Sequence, residues 1–282
     1  MFTNIKTYYP DERDYNLGSL AYERKGDGIC VAYYNTPKNL HALTPNQQHE
    51  TFLVLEYARR DPACKVLIWT ATGQRAFSSG AAFGVTQVDL DPEVAAAYRA
   101  KDMCPKQNDV ALKTMTLAFW DFPKPIIMAI NGLAVGGGAN IALMNYGDMV
   151  LASTKARFMW PFAKLGLSPE LGSSLMMAQI IGMPRAKRIM MLGEWLSAED
   201  AHSMGLVNEV VEPDELMPRA MELAKAMTAF TPDTMLRIKD IMNKHLRESM
   251  DKVLDDEAVT LGDGIKQLMM AAQKKKKGEA KM

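Results

Sequence analysis

Residues 165 to 174 read LGLSPELGSS, and Glu170 is the single charge among them. A carboxylate set in small and apolar residues has its charged form disfavoured when buried, and a carboxylate of raised pKa is matched to taking a proton from a weak acid. The same Pro-Glu pair is also an ordinary way to begin a helix, with the negative charge favouring the dipole by about 0.5 kcal/mol. Two further stretches have chemical potential in their main chain. In RAFSSGAAFG (75 to 84) and AVGGGANIA (134 to 142) an apolar run meets glycines and then a helical pattern. Such turns carry unpaired N–H groups, and glycine lets the main chain approach a ligand closely. Two of these turns side by side aim two donors at one oxygen, which is an oxyanion hole. Taken alone, either stretch is weak evidence, since a glycine-rich strand-to-helix turn more often reflects plain packing than catalysis. The triple glycine at 136 to 138 lacks the spacing of a dinucleotide fingerprint, and no GxxxxGK[ST] loop exists, so nucleotide binding has no support.

These residues need elements to hold them. The runs LGSLAYERKG and ICVAYYN flank Gly26-Asp27-Gly28 and predict a β-hairpin. NTPKNLHAL (35 to 43) reads as a loop. Thr44-Pro45 reads as an N-cap and first helical residue of a helix running to about Arg60, with Phe52, Leu55 and Tyr57 facing inward. CKVLIWTAT, PIIMAIN and DMVLAS are short apolar runs that predict strands buried on both faces. The glycine-bearing 73 to 84 stretch is expected to be a loop, and 91 to 121 one or two helices. Leu171 to Ile181 and Pro184 to Leu192 are expected to be helical. Ser197-Ala-Glu-Asp200 resembles a capping box for a short helix that Gly205 stops. LVNEVV is a last strand, residues 213 to 270 predict two or three amphipathic helices, and the charged end KKKKGEAKM predicts disorder. Strands alternating with helices indicate an α/β core. We divide the chain into a core at 1–200, a helical region at 201–270 for packing and oligomerisation, and a disordered basic tail at 271–282.

Bulk properties exclude several classes. Lys+Arg and Asp+Glu are both 33, so no net field points to nucleic acid or an anionic membrane. No apolar run of about 18 residues predicts a membrane span, and the acidic start lacks the apolar segment of a secretory signal. Cys30, Cys64 and Cys104 are scattered and odd in number, as expected of free thiols in a reducing compartment. The four histidines, His41, His49, His202 and His245, have no metal-ligand spacing, so no metal site is expected. The 22 methionines read as adaptable core filler or, alternatively, as a yielding wall for an acyl chain. A soluble intracellular protein is expected.

In order and spacing, RAFSSGAAFG, PIIMAINGLAVGGGANIAL, DMVLASTKARFMWPFAKLGLSPELGSS and LSAEDAHSMGLVNEVV resemble the enoyl-CoA hydratase/isomerase (crotonase) superfamily, over roughly residues 17 to 260. The pattern around Ser-Pro-Glu is similar to its peroxisomal-type Δ3,Δ2-enoyl-CoA isomerases. The resemblance implies a spiral of repeated ββα units followed by a helical C-terminal region. It implies that Glu170 is the single base, and that the N–H groups of Ala81 and Gly137 form the oxyanion hole. It also implies contact of Lys38, Asn39, Ser79 and Gly80 with an acyl-CoA thioester that brings its own coenzyme A, with no separate cofactor. Solvated loop residues are the other reading of Lys38 and Asn39. Where hydratases of the superfamily have two carboxylates, this chain has Asn140 and Phe162. Ala82 replaces a common loop aspartate, and the run from the triple glycine to Asp148 is about two residues longer than is usual in the family, which bears on the helix register near Asn140. The implied activity moves the double bond of a 3-enoyl-CoA to the 2-position in fatty-acid β-oxidation. A dienoyl-CoA isomerase, a weak hydratase and a silent acyl-CoA binder are the alternatives. The family implies a homotrimer or a dimer of trimers. The terminal Ala280, Lys281 and Met282 resemble a variant peroxisomal targeting tripeptide, which implies an import receptor as partner and a peroxisomal rather than cytoplasmic location.

Overall fold

In the computed structural model the structure describes residues 15–16, 19–82, 113–144 and 146–279. Strand β1 (Tyr15–Asn16) pairs with β2 (Leu20–Gly26), which turns back on β3 (Ile29–Tyr34) in antiparallel register. Asp27 and Gly28 both take positive φ there, the backbone that a tight hairpin demands. After a 3-10 turn at Pro37–Asn39 comes helix α1 (Pro45–Arg60). Thr44 Oγ1 accepts from the Gln47 N–H at 3.1 Å, and Pro45 fills the first helical position, so α1 starts where its cap dictates.

The chain then alternates between two sheets. Strands β4 (Val66–Ala71), β6 (Ile126–Ile130) and β8 (Met149–Ser153) add in parallel beside β3. Each is followed by a three-residue strand of a second sheet: β5 (Ala76–Ser78), β7 (Leu133–Val135) and β9 (Arg157–Met159). Strand β10 (Leu196–Ser197) ends the second sheet and β11 (Glu209–Val211) the first, giving orders β10-β9-β7-β5 and β1-β2-β3-β4-β6-β8-β11. Helices complete the repeat: α2 (Met115–Trp120), α3 (Gly137–Leu143), α4 (Phe162–Leu165), α5 (Ser173–Ile181), α6 (Met183–Leu192), α7 (Ala198–Ser203), α8 (Leu216–Thr228) and α9 (Pro232–Glu279). This is the expected crotonase-type spiral of ββα units with a helical C-terminal region.

Strand alternation explains the layering. Ile29, Val31, Val66, Ile68, Ile127, Ala129 and Leu151 point one way, against Leu216, Ala220 and Ala224 of α8. Their neighbours Cys30, Ala32, Leu67, Trp69, Met128 and Ile130 point the other way, towards α1 and the second sheet. Every residue of β4 and β6 is therefore buried, and each large apolar side chain contributes about 1.5–3 kcal/mol. Met176 and Met177 are buried core filler. Cys30 and Cys64 are free buried thiols, whereas Cys104 lies outside the described residues.

Several expectations need correction. The stretch expected to be a loop contains β5, and β7 and β9 lie where no strand was expected. Three residues are too few to display a period of two. The predicted α/β core does not close at residue 200, which falls inside α7, because β11 still adds to the main sheet. The C-terminal helices are α8 and one 48-residue α9, which continues through the lysine run to Glu279. Composition reads that run as disordered, yet Ala, Gln, Lys and Glu are good helix formers and can extend a helix already nucleated. Of the expected 91 to 121 helices, residues 91 to 112 lie outside the described residues, as do Ala280, Lys281 and Met282. Among the described residues no helix is long and apolar enough to cross a membrane.

Candidate active site

Glu170 lies in the turn between α4 and α5. Leu171 (φ 56°) and Gly172 (φ 70°) are both left-handed, so α5 starts only at Ser173 and Glu170 is not a first-turn helix residue. The left-handed conformation at Leu171, a branched residue, is one that persists only when its surroundings over-determine it. They do. The Glu170 carbonyl accepts from Asn140 Nδ2 at 2.9 Å, Ser173 Oγ at 2.7 Å and the Ser173 N–H at 3.1 Å. Asn140 Oδ1 in turn accepts from Trp160 Nε1 at 2.8 Å. The Tyr146 hydroxyl donates to the Leu171 carbonyl. The Gly172 and Ser174 N–H groups donate to Glu257 of α9 at 2.7 and 2.9 Å.

These ties direct the Glu170 side chain at the triple-glycine turn. A Cβ on Gly137 would stand 2.9 Å from Glu170 Oε1 and 3.3 Å from Leu43 Cδ1, so the carboxylate lies against a bare Cα and a side chain there would have to push it aside. Among the described residues no donor reaches the Glu170 carboxylate. The residue keeps a partly open surface, yet the protein packed around it desolvates the acid, and Glu257 adds a like charge. Together they push its pKa from 4.5 up to about 7.

The two glycine turns meet back to back. Gly80 has φ 83° and Gly136 φ 53°. A Cβ on Gly80 would fall 2.4 Å from the Val135 carbonyl oxygen and 3.6 Å from the Gly137 nitrogen, so the turns touch without side chains between them. Strand β5 leads into one and β7 into the other, and the parallel pairing of β5 with β7 sets both at one level. The Leu43 N–H donates to the Gly80 carbonyl at 2.8 Å, and the Ala82 N–H to the Leu43 carbonyl at 3.2 Å. In a trans peptide the Ala81 N–H points opposite to the Gly80 carbonyl, hence away from Leu43. The Gly137 N–H belongs to the first turn of α3, which has no intrahelical acceptor. Neither amide has a partner among the described residues.

Lys38 and Asn39 are exposed on the 3-10 turn beside the first glycine turn. The Ser79 N–H donates to the Leu40 carbonyl at 2.9 Å, which ties the two segments together. His41 is buried, accepting the Thr36 N–H at Nδ1 and facing the Thr72 carbonyl through Nε2, a packing histidine and not a ligand. Lys38, Asn39, Ser79, Gly80 and Ala81 thus share one edge, and Gly137 and Glu170 lie next to it. Ala82 contributes main chain alone to that edge, and Phe162 is buried at the start of α4.

Three residues around the site were not identified as participants from sequence: Asn140 as a tie to the Glu170 carbonyl, Tyr146 and Glu257. From sequence Asn140 stands out only as the place of a missing carboxylate. Glu257 did carry a signal, because Met250, Leu254, Glu257 and Leu261 recur at helical spacing and all are buried. An acid on an apolar stripe has to be bonded to something.

Residues 24–278 match the enoyl-CoA hydratase/isomerase family. The chain belongs to that family. The short-chain-enoyl-CoA hydratase of Clostridium acetobutylicum is 29% identical over 247 residues, 88% of this chain and 89% of that one. Human enoyl-CoA delta isomerase 2 is 31% identical over 235 residues, 83% of this chain but 57% of that longer protein. The crystal structure of an enoyl-CoA hydratase/isomerase from Pseudoalteromonas atlantica T6c superposes with a TM-score of 0.76 at 25% identity, covering 91% of this chain and 97% of that one. Hydratase and isomerase relatives stand at equal distance. Membership in the hydratase/isomerase family therefore establishes an enzyme acting on CoA esters and leaves the reaction to the residues of the site.

Proposed function

We propose that the protein is a Δ3,Δ2-enoyl-CoA isomerase with Glu170 as its only proton carrier. One observation carries this reading. A solitary carboxylate of raised pKa abuts Gly137, while the two positions at which hydratases of the superfamily hold carboxylates are an amide committed to the backbone, Asn140, and a buried ring, Phe162. Ionised Glu170 takes a proton from C2 of the 3-enoyl thioester. The C–H electron pair delocalises into a dienolate whose negative charge falls on the thioester oxygen. The N–H groups of Ala81 and Gly137 donate to that oxygen, and removing one such donor typically costs about 3 kcal/mol of barrier. Protonated Glu170 returns the proton at C4, the double bond closes between C2 and C3, and the carboxylate is restored. Hydration needs a second group to activate water, and no carboxylate stands at the positions that do so in hydratases.

Lys38, Asn39 and Ser79 would border the coenzyme A portion, which arrives with the substrate. The terminal tripeptide 280–282 is proposed as a peroxisomal address, and a reporter bearing it that stays cytosolic refutes this. Incubation with 3-hexenoyl-CoA tests the activity. Formation of 2-hexenoyl-CoA by the wild type and its loss in Glu170→Gln are expected. Failure of the wild type to move the bond, or unchanged turnover in the variant, overturns the reading. Faster turnover of 2-enoyl or dienoyl esters would reassign the enzyme within its family, and ester binding without any turnover would make it a silent binder.

A further inference from the structure

Helix α9 carries a carboxylate where its buried stripe calls for an apolar residue. Met250, Leu254 and Leu261 pack into the body, and Glu257 lies between them, 7% exposed. Burying an acid without partners is strongly unfavourable. Glu257 Oε2 accepts from the Gly172 N–H at 2.7 Å and Oε1 from the Ser174 N–H at 2.9 Å. Those amides lie at the start of α5, where no intrahelical acceptor exists. The contact is tight as well as polar. A Cβ on Gly172 would fall 2.5 Å from Met250 Sδ, so α9 lies directly on the left-handed turn that follows Glu170.

We infer that Glu257 is a positioning residue for Glu170: from α9 it clamps both ends of the Gly172–Ser174 segment, fixes the turn that aims Glu170 at Gly137, and sets a second negative charge behind it. This rests on Glu170 acting as the base. The titratable groups facing Glu257 are Glu170, from the turn, and the Tyr146 hydroxyl, which burial holds in its neutral form. Asp255 and Asp256, its neighbours on α9, are exposed and point elsewhere, Asp255 pairing with Lys113. Among the described residues no cation pairs with Glu257. Burial raises the pKa of both acids, but two amide bonds oppose that rise at Glu257 and none opposes it at Glu170, so Glu257 holds its charge more readily and Glu170 must ionise against it. The clamp thereby serves twice, holding the acid in place and raising its affinity for the proton it shuttles.

The test compares Glu257→Gln and Glu257→Asp with the wild type. Glutamine preserves bulk and one acceptor oxygen but removes the charge. We expect the acidic limb of kcat/KM to move down by about one pH unit, with kcat lowered several-fold and KM little changed. Aspartate keeps the charge on a shorter arm that cannot span both amides, so it should lower kcat while leaving the limb near its wild-type position. A merely structural role would lower stability in both variants and move neither profile, which overturns the inference. Titration of the Glu170 carboxyl by 13C NMR needs no substrate. A lower midpoint in Glu257→Gln supports the coupling, and an unchanged midpoint refutes it, even if the wild type were to move no double bond. That latter outcome would count against the isomerase reading instead.

Discussion

Replacing Glu170 by glutamine removes one titrating proton and little volume, and its two consequences have opposite signs. The acid stands at about 7 in the folded protein and near 4.5 when unfolded. Below about pH 4.5 both states hold the proton and the acid neither stabilises nor destabilises. Between 4.5 and 7 the unfolded chain releases it while the folded chain retains it, so the wild type loses stability as pH rises. Above 7 the deficit is constant, and the full gap corresponds to about 3 kcal/mol. One side of the site is open to solvent, which screens the charge, so we expect Glu170→Gln to be about 1–3 kcal/mol more stable than wild type at pH 8. At pH 4.5 the two proteins should be nearly equal. Urea denaturation at a series of pH values reads the difference directly. In the same samples turnover should fall by at least about 10²-fold, the usual contribution of a positioned base. A variant that is destabilised equally at every pH would show that the carboxylate is not held against its own solvation. Wild-type turnover would show that it is not the base.

Gly137→Ala introduces a Cβ 2.9 Å from Glu170 Oε1 and should displace that carboxylate, lowering kcat about 10²-fold in a steady-state assay while the protein still folds. Asn140→Asp replaces the Nδ2 donor to the Glu170 carbonyl with a second acceptor. It should cost about 1–3 kcal/mol in a urea melt, and it should not confer hydration of 2-hexenoyl-CoA, since the new acid would remain turned towards that carbonyl. Kcat/KM of the wild type should decline as pH falls below about 7, because Glu170 must be ionised to accept the C2 proton; a flat profile from pH 5 to 8 refutes that assignment. Ser197→Ala removes the cap that accepts the Asp200 N–H at 3.0 Å, and should cost about 1 kcal/mol in a thermal melt with turnover unchanged.

What could be read ahead of the structure depended on whether the cause was local. The Thr44 cap, the Gly26–Gly28 hairpin and the Ser197 cap are fixed by contacts within four residues, so their residue types announce them. Strands β4, β6 and β8 are legible because burial on both faces forces unbroken apolar runs. The second sheet escapes because its strands are three residues long and owe their pairing to the spiral. Residues 213 to 270 hold two helices, α8 and α9, in line with the amphipathic pattern, and Gly262 and Gly264 both lie inside α9. A Cβ on Gly264 would stand 3.1 Å from the Gly166 carbonyl oxygen, so close packing and not a helix stop accounts for glycine there.

The site divides along the same line. Glu170, Ala81 and Gly137 are marked by short motifs, and the structure brings those motifs together. The parts that set the Glu170 carboxylate's direction and proton affinity come from 24 to 87 residues away: the Asn140 amide, the Tyr146 hydroxyl and the Glu257 acid. None belongs to a motif, since each is defined by what it reaches across the fold. A charge on an otherwise apolar helical stripe is nevertheless a usable sign at a distance. Desolvation forbids it unless some backbone elsewhere supplies donors, and backbone with spare donors occurs at helix starts and tight turns. In this chain the turn in question is the one that follows Glu170, so the same spare amides that make the turn difficult to build make it a place where a distant acid can act on the site.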